Sequence, residues 1–210
     1  MAEAKKDEAQ AAPKKMPNTA AAMIGVLTAI AIISGTTLGF TDLFTRDRIE
    51  ANRIERRMSA VREVLPEFVN DPAAEEWNHP ELAAHMVFPG RNEHGELVGA
   101  AIQTRVGSGY GGNLTVVTGL TPEAEVTAVF VLQHAETPGL GARITEQGFR
   151  DQFAGLNLND RAPAVRQDGG SIDAITAATM SSRAVADAVE KAGQVLPDFL
   201  AAVETGGSNE

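Results

Sequence analysis

A dense cluster of hydroxyl side chains lies near the C-terminus, just before an alanine-rich stretch. Its members, four hydroxyl residues and one carboxylate, are Asp173, Thr176, Thr179, Ser181 and Ser182. The apolar pattern that follows predicts a helix from about Thr179. The backbone N–H groups and the dipole at the start of a helix favour a phosphate, so this cluster is a candidate phosphate site.

Two glycine-containing stretches upstream would allow backbone to approach a flat ligand. Residues 134–141 read His-Ala-Glu-Thr-Pro-Gly-Leu-Gly, a Thr-Pro-Gly turn followed by a second glycine. Residues 109–112 read Gly-Tyr-Gly-Gly and contain the only tyrosine of the chain. Glycine has no side chain and therefore permits close contact. Each stretch alone is typical of an ordinary turn, and the combination with the hydroxyl cluster favours a binding site.

Together these motifs resemble the FMN-binding domain family, which occurs in the G subunit of the Rnf electron-transport complex and the C subunit of the sodium-translocating NADH:quinone reductase. Asp-x-x-Thr-x-Ala-Thr followed by two serines is similar to the family's flavinylation motif, and the glycine stretches are similar to its other motifs, in the same order. The resemblance spans roughly residues 84 to 195. It implies that Thr179 carries covalent FMN through a phosphoester bond and that Asp173 helps to present or activate the hydroxyl.

Ala177 is the one visible departure from this motif, because the family often has glycine at that position. Alanine is nearly as small as glycine, so we expect attachment to survive. A backbone that needs a positive φ at this position would count against that expectation.

The phosphate contacts are expected at the start of the last helix, from its N–H groups and from nearby hydroxyls. The alternative is that these side chains only cap the helix or a turn. Both roles are compatible with one structure. Besides Thr179 and Asp173, the candidates are Thr176, Ala178, Met180, Ser181 and Ser182.

The isoalloxazine ring needs apolar or glycine-lined surface and a few polar groups that tune its potential. Any one of the candidate residues, taken alone, is explained more simply as part of a tight turn with a packed leucine than as a ring contact. The expected contacts are Glu136, Thr137, Gly139 and Leu140, with Tyr110 and Gly111 as weaker candidates.

The composition excludes several other classes of protein. The chain has no cysteine, which excludes disulfides, thiolate metal sites and iron–sulfur ligation. A formal charge of -10 argues against nucleic-acid binding, because phosphate neutralisation requires clustered cations. The histidines show no metal-ligand spacing, so no metal is expected. The Gly-x-Gly-x-x-Gly at 107–112 follows a strand pattern but leads into another strand pattern instead of a helix, so it is not a dinucleotide fingerprint. NADH must therefore be handled elsewhere, and no catalytic residues are expected.

An uncharged run near the N-terminus predicts a membrane anchor. Residues 19–40 carry no charge, and as a helix they would be about 33 Å long, the thickness of a bilayer's hydrocarbon core. We expect a transmembrane helix over residues 19–41. A cleavable signal peptide is the alternative. Gly35-x-x-x-Gly39 within the run would allow a partner helix to pack closely, or else faces lipid.

Two arguments conflict over the side of the membrane. More positive charges follow the span than precede it, so the positive-inside count places the C-terminal domain in the cytoplasm. Long folded domains translocate largely regardless of flanking charge, and the resemblance implies an extracytoplasmic domain, where its flavin transferase acts. We therefore expect a single-pass protein of the cytoplasmic (inner) membrane with its C-terminal domain on the periplasmic side.

The rest of the chain predicts an α+β domain behind this anchor. Strand patterns at 84–88, 97–105, 114–117 and 126–132 with short links predict an antiparallel meander. Helical patterns cover 144–156 and the segment from Thr179, which Pro197 would kink or interrupt, and a short extended piece is expected at 162–166.

The expected domain organisation has five parts. Residues 1–18 should be a disordered cytoplasmic tail, followed by the span at 19–41. Residues 42–83 should form an amphipathic helix ending at Pro66 and a loop-like connector, and the FMN-binding domain should cover 84–195 before a helix end and tail at 196–210. The arginines of the amphipathic helix alternate with acids, which favours a solvated, self-paired face over binding of lipid headgroups.

The function implied by the resemblance is electron transfer within an ion-translocating oxidoreductase of the Rnf type. Its partners would be the membrane and iron–sulfur subunits of that complex, and a flavin transferase would load the FMN. The alternatives are the C subunit of the quinone reductase, a stand-alone extracytoplasmic flavin reductase, and a scaffold in which the hydroxyl motif only caps a helix.

Overall fold

In the computed structural model, residues 20–78 and 85–205 are described. The predicted tail at 1–18, part of the connector at 79–83 and the last five residues lie outside the described residues. The chain divides into two compact units, Met1–Ala51 and Asn52–Glu210.

The described part of the first unit is helical and belongs to α1, Ala20–Val64. Its apolar side chains are exposed, and among the described residues α1 alone is long and apolar enough to cross a membrane. The hydroxyls of Thr36, Thr41 and Thr45 each donate to the carbonyl four residues earlier, which pairs these polar groups within the helix. This helix fits a membrane anchor, although a signal sequence near an N-terminus has the same length and composition.

The predicted amphipathic helix is the second part of α1. The helix continues through residue 51 and ends at Val64, two residues before Pro66. Proline has no N–H and disfavours helix in the preceding residue, which explains this end. The continuation and the end of this helix agree with the sequence prediction, but of the predicted apolar face Val61 and Val64 are buried whereas Ile49 and Ile54 are exposed.

The second unit contains an antiparallel meander in the order β1-β2-β3-β4-β5, as the strand patterns predicted. Strands β3 and β4 extend to a two-residue turn at Tyr110-Gly111, further than the patterns predicted, because Gly109 pairs with Gly112. The short strand β1 was missed, since two residues carry no periodic signal. The strands are β1 Trp77–Asn78, β2 His85–Arg91, β3 Leu97–Gly109, β4 Gly112–Leu120 and β5 Val126–Gln133.

The two faces of the sheet are covered by different helices. The larger core packs one face against the C-terminal helix α3, Thr179–Glu204, with Val185 and Val189 fully buried. The smaller core packs Phe88 and Val117 of the other face against Val64 near the end of α1. Burial of this kind contributes roughly 1.5–3 kcal/mol per large apolar side chain. The sheet with helices on both faces confirms the predicted α+β class.

The segment 144–156 is less regular than the predicted helix. It folds as a 3₁₀ turn Gly141–Thr145, a one-turn helix α2 Gln147–Arg150 and a second 3₁₀ turn Asp151–Phe153. Ile144, Phe149 and Phe153 are buried, so the apolar spacing that looked helical anchors successive turns instead. Gly148 and Gly155 lie within and just after these turns, and glycine disfavours a continuous helix.

The C-terminal helix begins at Thr179, as predicted, and runs to Glu204. Pro197 lies inside this helix, which continues past it. The predicted extended piece at 162–166 is reduced to one parallel bridge between Val165 and Ile172.

Arg150 at the end of α2 joins three elements of this unit. Its guanidinium donates to Glu63 of α1 at 2.7 Å and to the carbonyls of Val129 and Thr145, and it lies 5.3 Å from the centre of the Phe130 ring. The side chain is 17% exposed. Charge-assisted hydrogen bonds at partly buried sites are stronger than those at the surface.

We expect Arg150→Ala to lower the free energy of unfolding by about 2–3 kcal/mol, because these carbonyls and the Phe130 ring lose their partner. Urea denaturation followed by circular dichroism measures the change. Arg143→Ala is the control, since Arg143 is exposed and among the described residues forms an ion pair only with the neighbouring Glu146, and it should show no measurable change. Equal stability of the Arg150 variant and the wild type would contradict the assigned role.

Candidate functional site

The three sequence motifs meet at one cavity of about 560 Å³. The glycine-containing stretch at 109–112 contributes Tyr110, the Thr-Pro-Gly stretch contributes one wall, and the start of α3 contributes the other wall. The lining residues are Tyr110, Glu136, Thr137, Leu140, Gly141, Ala177, Ala178, Thr179, Met180 and Ser181. The structure thus brings together most of the residues that the sequence singled out.

Glu136 holds the three motifs together. Its carboxylate is 6% exposed and accepts a hydrogen bond from the Ser181 hydroxyl at 2.7 Å. The other oxygen accepts from the backbone N–H of Gly111 at 3.2 Å. We call Glu136, Ser181 and Gly111 the carboxylate clasp. The sequence indicated Glu136 as a ring contact, and its contacts show that it also positions the walls of the cavity.

Two glycines are needed for the clasp to close. A Cβ at Gly141 would lie 2.6 Å from a Glu136 oxygen and 2.7 Å from the Ser181 hydroxyl oxygen. A Cβ at Gly111 would overlap the backbone carbonyl of Ala135. These glycines serve close approach of backbone, the role that their sequence context predicted. Gly141 was not among the predicted site residues, although its place in the motif was a signal.

The Thr-Pro-Gly stretch forms a tight turn at the edge of the cavity. The N–H groups of Leu140 and Ala142 both donate to the carbonyl of Thr137, and Gly139 has a φ of +75°. Proline followed by glycine with positive φ is typical of a type II turn. His134 accepts a hydrogen bond from the N–H of Glu136 at its Nδ1. This histidine therefore shapes the turn that presents Glu136.

The start of α3 carries no side-chain cap within the described residues. Ala178 occupies the N-cap position, and neither serine binds an N–H of the first turn. The N–H groups of Thr179, Met180 and Ser181 therefore have no intrahelical acceptor, as at the first turn of any helix. Such groups favour an anion.

The hydroxyl of Thr179 lies at this same helix start. Thr179 is the first residue of α3, is half-buried and lines the cavity. Its hydroxyl makes no hydrogen bond to any of the described residues. The residue is thus available to a group bound in the cavity.

The hydroxyls of the two serines bind other groups than the N–H groups of the first turn of α3. The Ser182 hydroxyl donates to the carbonyl of Ala178 and accepts from the N–H of Ile175, so it fixes the turn before the helix. The Ser181 hydroxyl donates to Glu136. Both side chains are buried. Their contact with a phosphate remains a prediction, and the backbone N–H groups are better placed for it.

Asp173 and Thr176 lie outside the cavity lining. Asp173 is exposed and forms an ion pair with Arg166 at 2.9 Å. Its backbone N–H donates to the side-chain oxygen of Gln152, and its carbonyl accepts from the side-chain amide nitrogen of the same residue. Thr176 is exposed, and its hydroxyl has no partner among the described residues. That Asp173 assists attachment and that Thr176 contacts the phosphate both stay predictions.

Ala177 adopts a left-handed backbone conformation with φ of +63°. This is the conformation that glycine adopts without cost and that costs other residues roughly 1–2 kcal/mol. The small size of alanine therefore does not make it equivalent to glycine here. The turn keeps its shape in spite of this strain, because Ser182 ties Ile175 to Ala178.

We expect Ala177→Gly to raise the free energy of unfolding by about 1 kcal/mol, since the left-handed strain is removed. Ala177 is exposed, so no packing is lost with its methyl group. Ala201→Gly, at an exposed position within α3, should instead lower stability. Thermal and urea unfolding of both variants measure the difference in stability. If both variants were stabilised, or both destabilised, the left-handed φ of Ala177 would not be the cause.

The rim of the cavity is apolar and exposed. Outside α1, the large exposed hydrophobic residues of the described chain are Val69, Tyr110, Leu140 and Met180. The last three all line this cavity, with exposures of 71%, 47% and 51%. Exposed apolar groups gathered at one pocket indicate a surface that a ligand or a partner covers.

An ion pair between Arg183 and Asp168 lies near the start of α3. Arg183 donates to both oxygens of Asp168 at 2.6 and 2.7 Å. These hydrogen bonds hold the pKa of Asp168 below its ordinary value. Among residues 20–78 and 85–205, no group of three His, Cys, Asp or Glu side chains is arranged to hold a metal ion.

Comparison with known proteins identifies the class of this domain. Residues 109–194 match the model of the FMN-binding domain family, and this range contains the whole cavity. The chain resembles the G subunit of the ion-translocating oxidoreductase complex of Aliivibrio fischeri, with 34% identity over 80% of this chain and 85% of the relative.

Two further relatives are also G subunits of such complexes. That of Stutzerimonas stutzeri is 33% identical over 90% of this chain and 81% of the relative. The G subunit of the Na(+)-translocating ferredoxin:NAD(+) oxidoreductase complex of Acetobacterium woodii is 28% identical over 81% of this chain and 88% of the relative. The chain belongs to the family of G subunits of ion-translocating oxidoreductase complexes. The alternative of a quinone-reductase C subunit has weaker support.

Among solved structures, the chain is similar to NqrC of Shewanella oneidensis. The TM-score is 0.47 and the identity is 22%, over 61% of this chain and 70% of the other.

Proposed function

We propose that this protein is the membrane-anchored electron-transfer subunit of an Rnf-type complex, and that FMN is attached through a phosphoester to Thr179. The single observation that carries the proposal is the convergence of the three motifs on one cavity at the start of α3. FMN combines a phosphate with a flat, largely apolar ring, and the cavity offers a place for each.

The residues of the cavity fit this cofactor. The uncapped N–H groups at the start of α3 would bind the phosphate, and the unpaired Thr179 hydroxyl lies among them. Tyr110, Leu140 and Met180 would cover the ring and limit its contact with water. Glu136 would set the spacing between these walls through the carboxylate clasp.

Attachment forms one bond and breaks one bond. The Thr179 oxygen attacks the phosphorus of FAD on the riboflavin side, the phosphoanhydride bond breaks and AMP leaves. The hydroxyl proton passes to a base on the separate flavin transferase, because a threonine hydroxyl is a poor nucleophile at neutral pH. In this proposal Asp173 helps to present the motif to the transferase.

Bound FMN would supply reversible electron transfer, and the protein would determine its position and surroundings. The donors and acceptors of these electrons would be other membrane and iron–sulfur subunits of the complex. The apolar helix α1 would hold the protein in the cytoplasmic membrane, and the second unit would lie on the periplasmic side, where the transferase acts.

Intact mass spectrometry tests the covalent part of this proposal. The full chain, co-expressed with its flavin transferase and then denatured, should exceed the sequence mass by one FMN less one water. Flavin fluorescence should stay with the denatured chain through a desalting column. A chain at its sequence mass in the presence of active transferase would contradict the proposal.

Purification from native membranes tests the role in a complex. A tag on the chain should co-purify membrane and iron–sulfur subunits, and the isolated chain should not turn over a diffusible acceptor. Sustained turnover by the isolated, flavin-loaded chain would favour a stand-alone flavin reductase instead. A reporter active only in the periplasm, fused to the C-terminus, tests the side of the membrane and should be active.

A further inference from the structure

A second cleft of about 590 Å³ lies on the other face of the sheet. One wall is the part of α1 that belongs to the second unit, and the floor is formed by β2 to β5. Four of its nine lining residues are arginines, and the lining residues of this described cleft include no acid. These residues are Arg53, Arg56, Arg57, Met86, Gln103, Arg105, Thr115, Leu132 and Gln133.

The pleat of the sheet explains why the cleft is polar. Ala101, Gln103 and Arg105 alternate along β3 on the same face. Ala101 packs under the end of α1 in the smaller core, whereas Gln103 and Arg105 lie further along and line the cleft. Arg105 pairs with Thr115 across the β3–β4 ladder, so the floor continues as a polar row.

Two buried polar atoms in this cleft have no partner among the described residues, Nε of Arg57 and Oε1 of Gln103. Arg57 has an acid nearby in Glu76, whose oxygen is 4.0 Å from a terminal nitrogen, beyond hydrogen-bond distance. The Gln103 amide otherwise contacts only the Met86 sulfur at 3.6 Å. An unpaired buried donor beside further guanidinium groups indicates a site for an anion.

This charge contrasts with the rest of the molecule. The chain carries a formal charge of -10, so a group of arginines without a lining acid is unusual within it. The alternation of arginines and acids along α1 suggested a self-paired face. The cleft adds Arg105 from the sheet, which no pattern along the helix reveals.

We infer that this cleft binds a phosphate group, presented by an anionic lipid headgroup or as a free phosphate. Arginine donates two parallel hydrogen bonds to phosphate oxygens, and the cleft has Arg57 in its α1 wall and Arg105 in its floor. Thr115 and Gln133 lie beside them as neutral donors.

Binding of two probes to the full chain in a non-ionic detergent tests this inference. The probes are phosphatidylglycerol added to the micelles, followed by native mass spectrometry, and inorganic phosphate, followed by thermal shift. The double variant Arg57→Gln/Arg105→Gln should bind at least about tenfold more weakly than the wild type. The matched control Arg62→Gln removes one charge from the same helix outside the cleft and should bind as the wild type does.

Each outcome bears on the inference. Binding of phosphatidylglycerol alone identifies a lipid headgroup, and competition by inorganic phosphate identifies a free anion; both support the site. Absence of binding of either probe to the wild type, or an equal loss in Arg62→Gln, would overturn it. Loss of other subunits from the double variant with unchanged probe binding would also overturn it, in favour of an acidic protein partner.

A second variant guards against misfolding of the first. Gln103→Glu places a negative charge beside Arg57 without removing an arginine, and it should weaken phosphate binding by a similar factor. Circular dichroism should show both variants folded. A folded Gln103→Glu variant that binds both probes as the wild type does would contradict the site.

Discussion

We expect Thr179→Ala to abolish the mass increment of FMN in the intact chain and to leave the denatured variant colourless. The reason is chemical, because alanine has no oxygen to form the phosphoester. The variant should fold normally, since the Thr179 hydroxyl makes no hydrogen bond within the described chain. Intact mass and in-gel flavin fluorescence after co-expression with the transferase measure the loss, which should be complete.

Two further variants serve as controls for this prediction. Thr179→Ser keeps a hydroxyl at the same position and should retain part of the increment. Thr176→Ala removes the other threonine of the motif, which is exposed and unbonded in the described structure, and it should leave the increment unchanged. Full flavin loading of Thr179→Ala, or its loss in Thr176→Ala alone, would assign the attachment to a different residue.

We expect Gly141→Ala to lower the free energy of unfolding by about 1–3 kcal/mol, the usual cost of an added methyl group in a packed site. The new Cβ would lie 2.6 Å from Glu136 and 2.7 Å from Ser181, so the carboxylate clasp must open. Flavin loading should fall as well, because the walls of the cavity separate. Urea unfolding and the loaded fraction at limiting transferase measure the two effects.

Gly148→Ala is the matched control for this prediction. Gly148 lies in α2 with nothing within 4 Å of its Cβ position, and alanine favours helix over glycine. The control should therefore be as stable as the wild type or more stable, with full flavin loading. A Gly141→Ala variant as stable and as fully loaded as Gly148→Ala would show that the clasp does not need this glycine.

Local patterns in the sequence predicted the main elements of the fold. The start of α3 at Thr179, the antiparallel meander and the continuation of α1 to its end near Pro66 follow from periodicity, β-branched runs and proline. The segment after Gly141 was predicted less well. Its apolar residues have helical spacing, yet each anchors a separate turn, and only the packing around Phe149 and Phe153 determines this.

The candidate site was predicted as a set of residues rather than as an arrangement. The motifs indicated Glu136 and Ser181, but no pattern along the chain shows that they bond to each other across 45 positions. The left-handed backbone of Ala177 has no signal in the alanine itself, and only the glycine that the family often has at this position pointed to it. The arginine cleft escaped prediction for the same reason, since it joins a helix to a distant strand.

The hydrogen bond between Ser181 and Glu136 has a consequence for the order of biosynthesis. It joins residues far apart in the chain, and Gly111 is further still from Ser181, so an unfolded precursor contains no cavity at all. A transferase that recognises the assembled cavity would act only after the last helix has docked. Cofactor loading would then report on completed folding, and chains arrested before that stage would remain uncoloured.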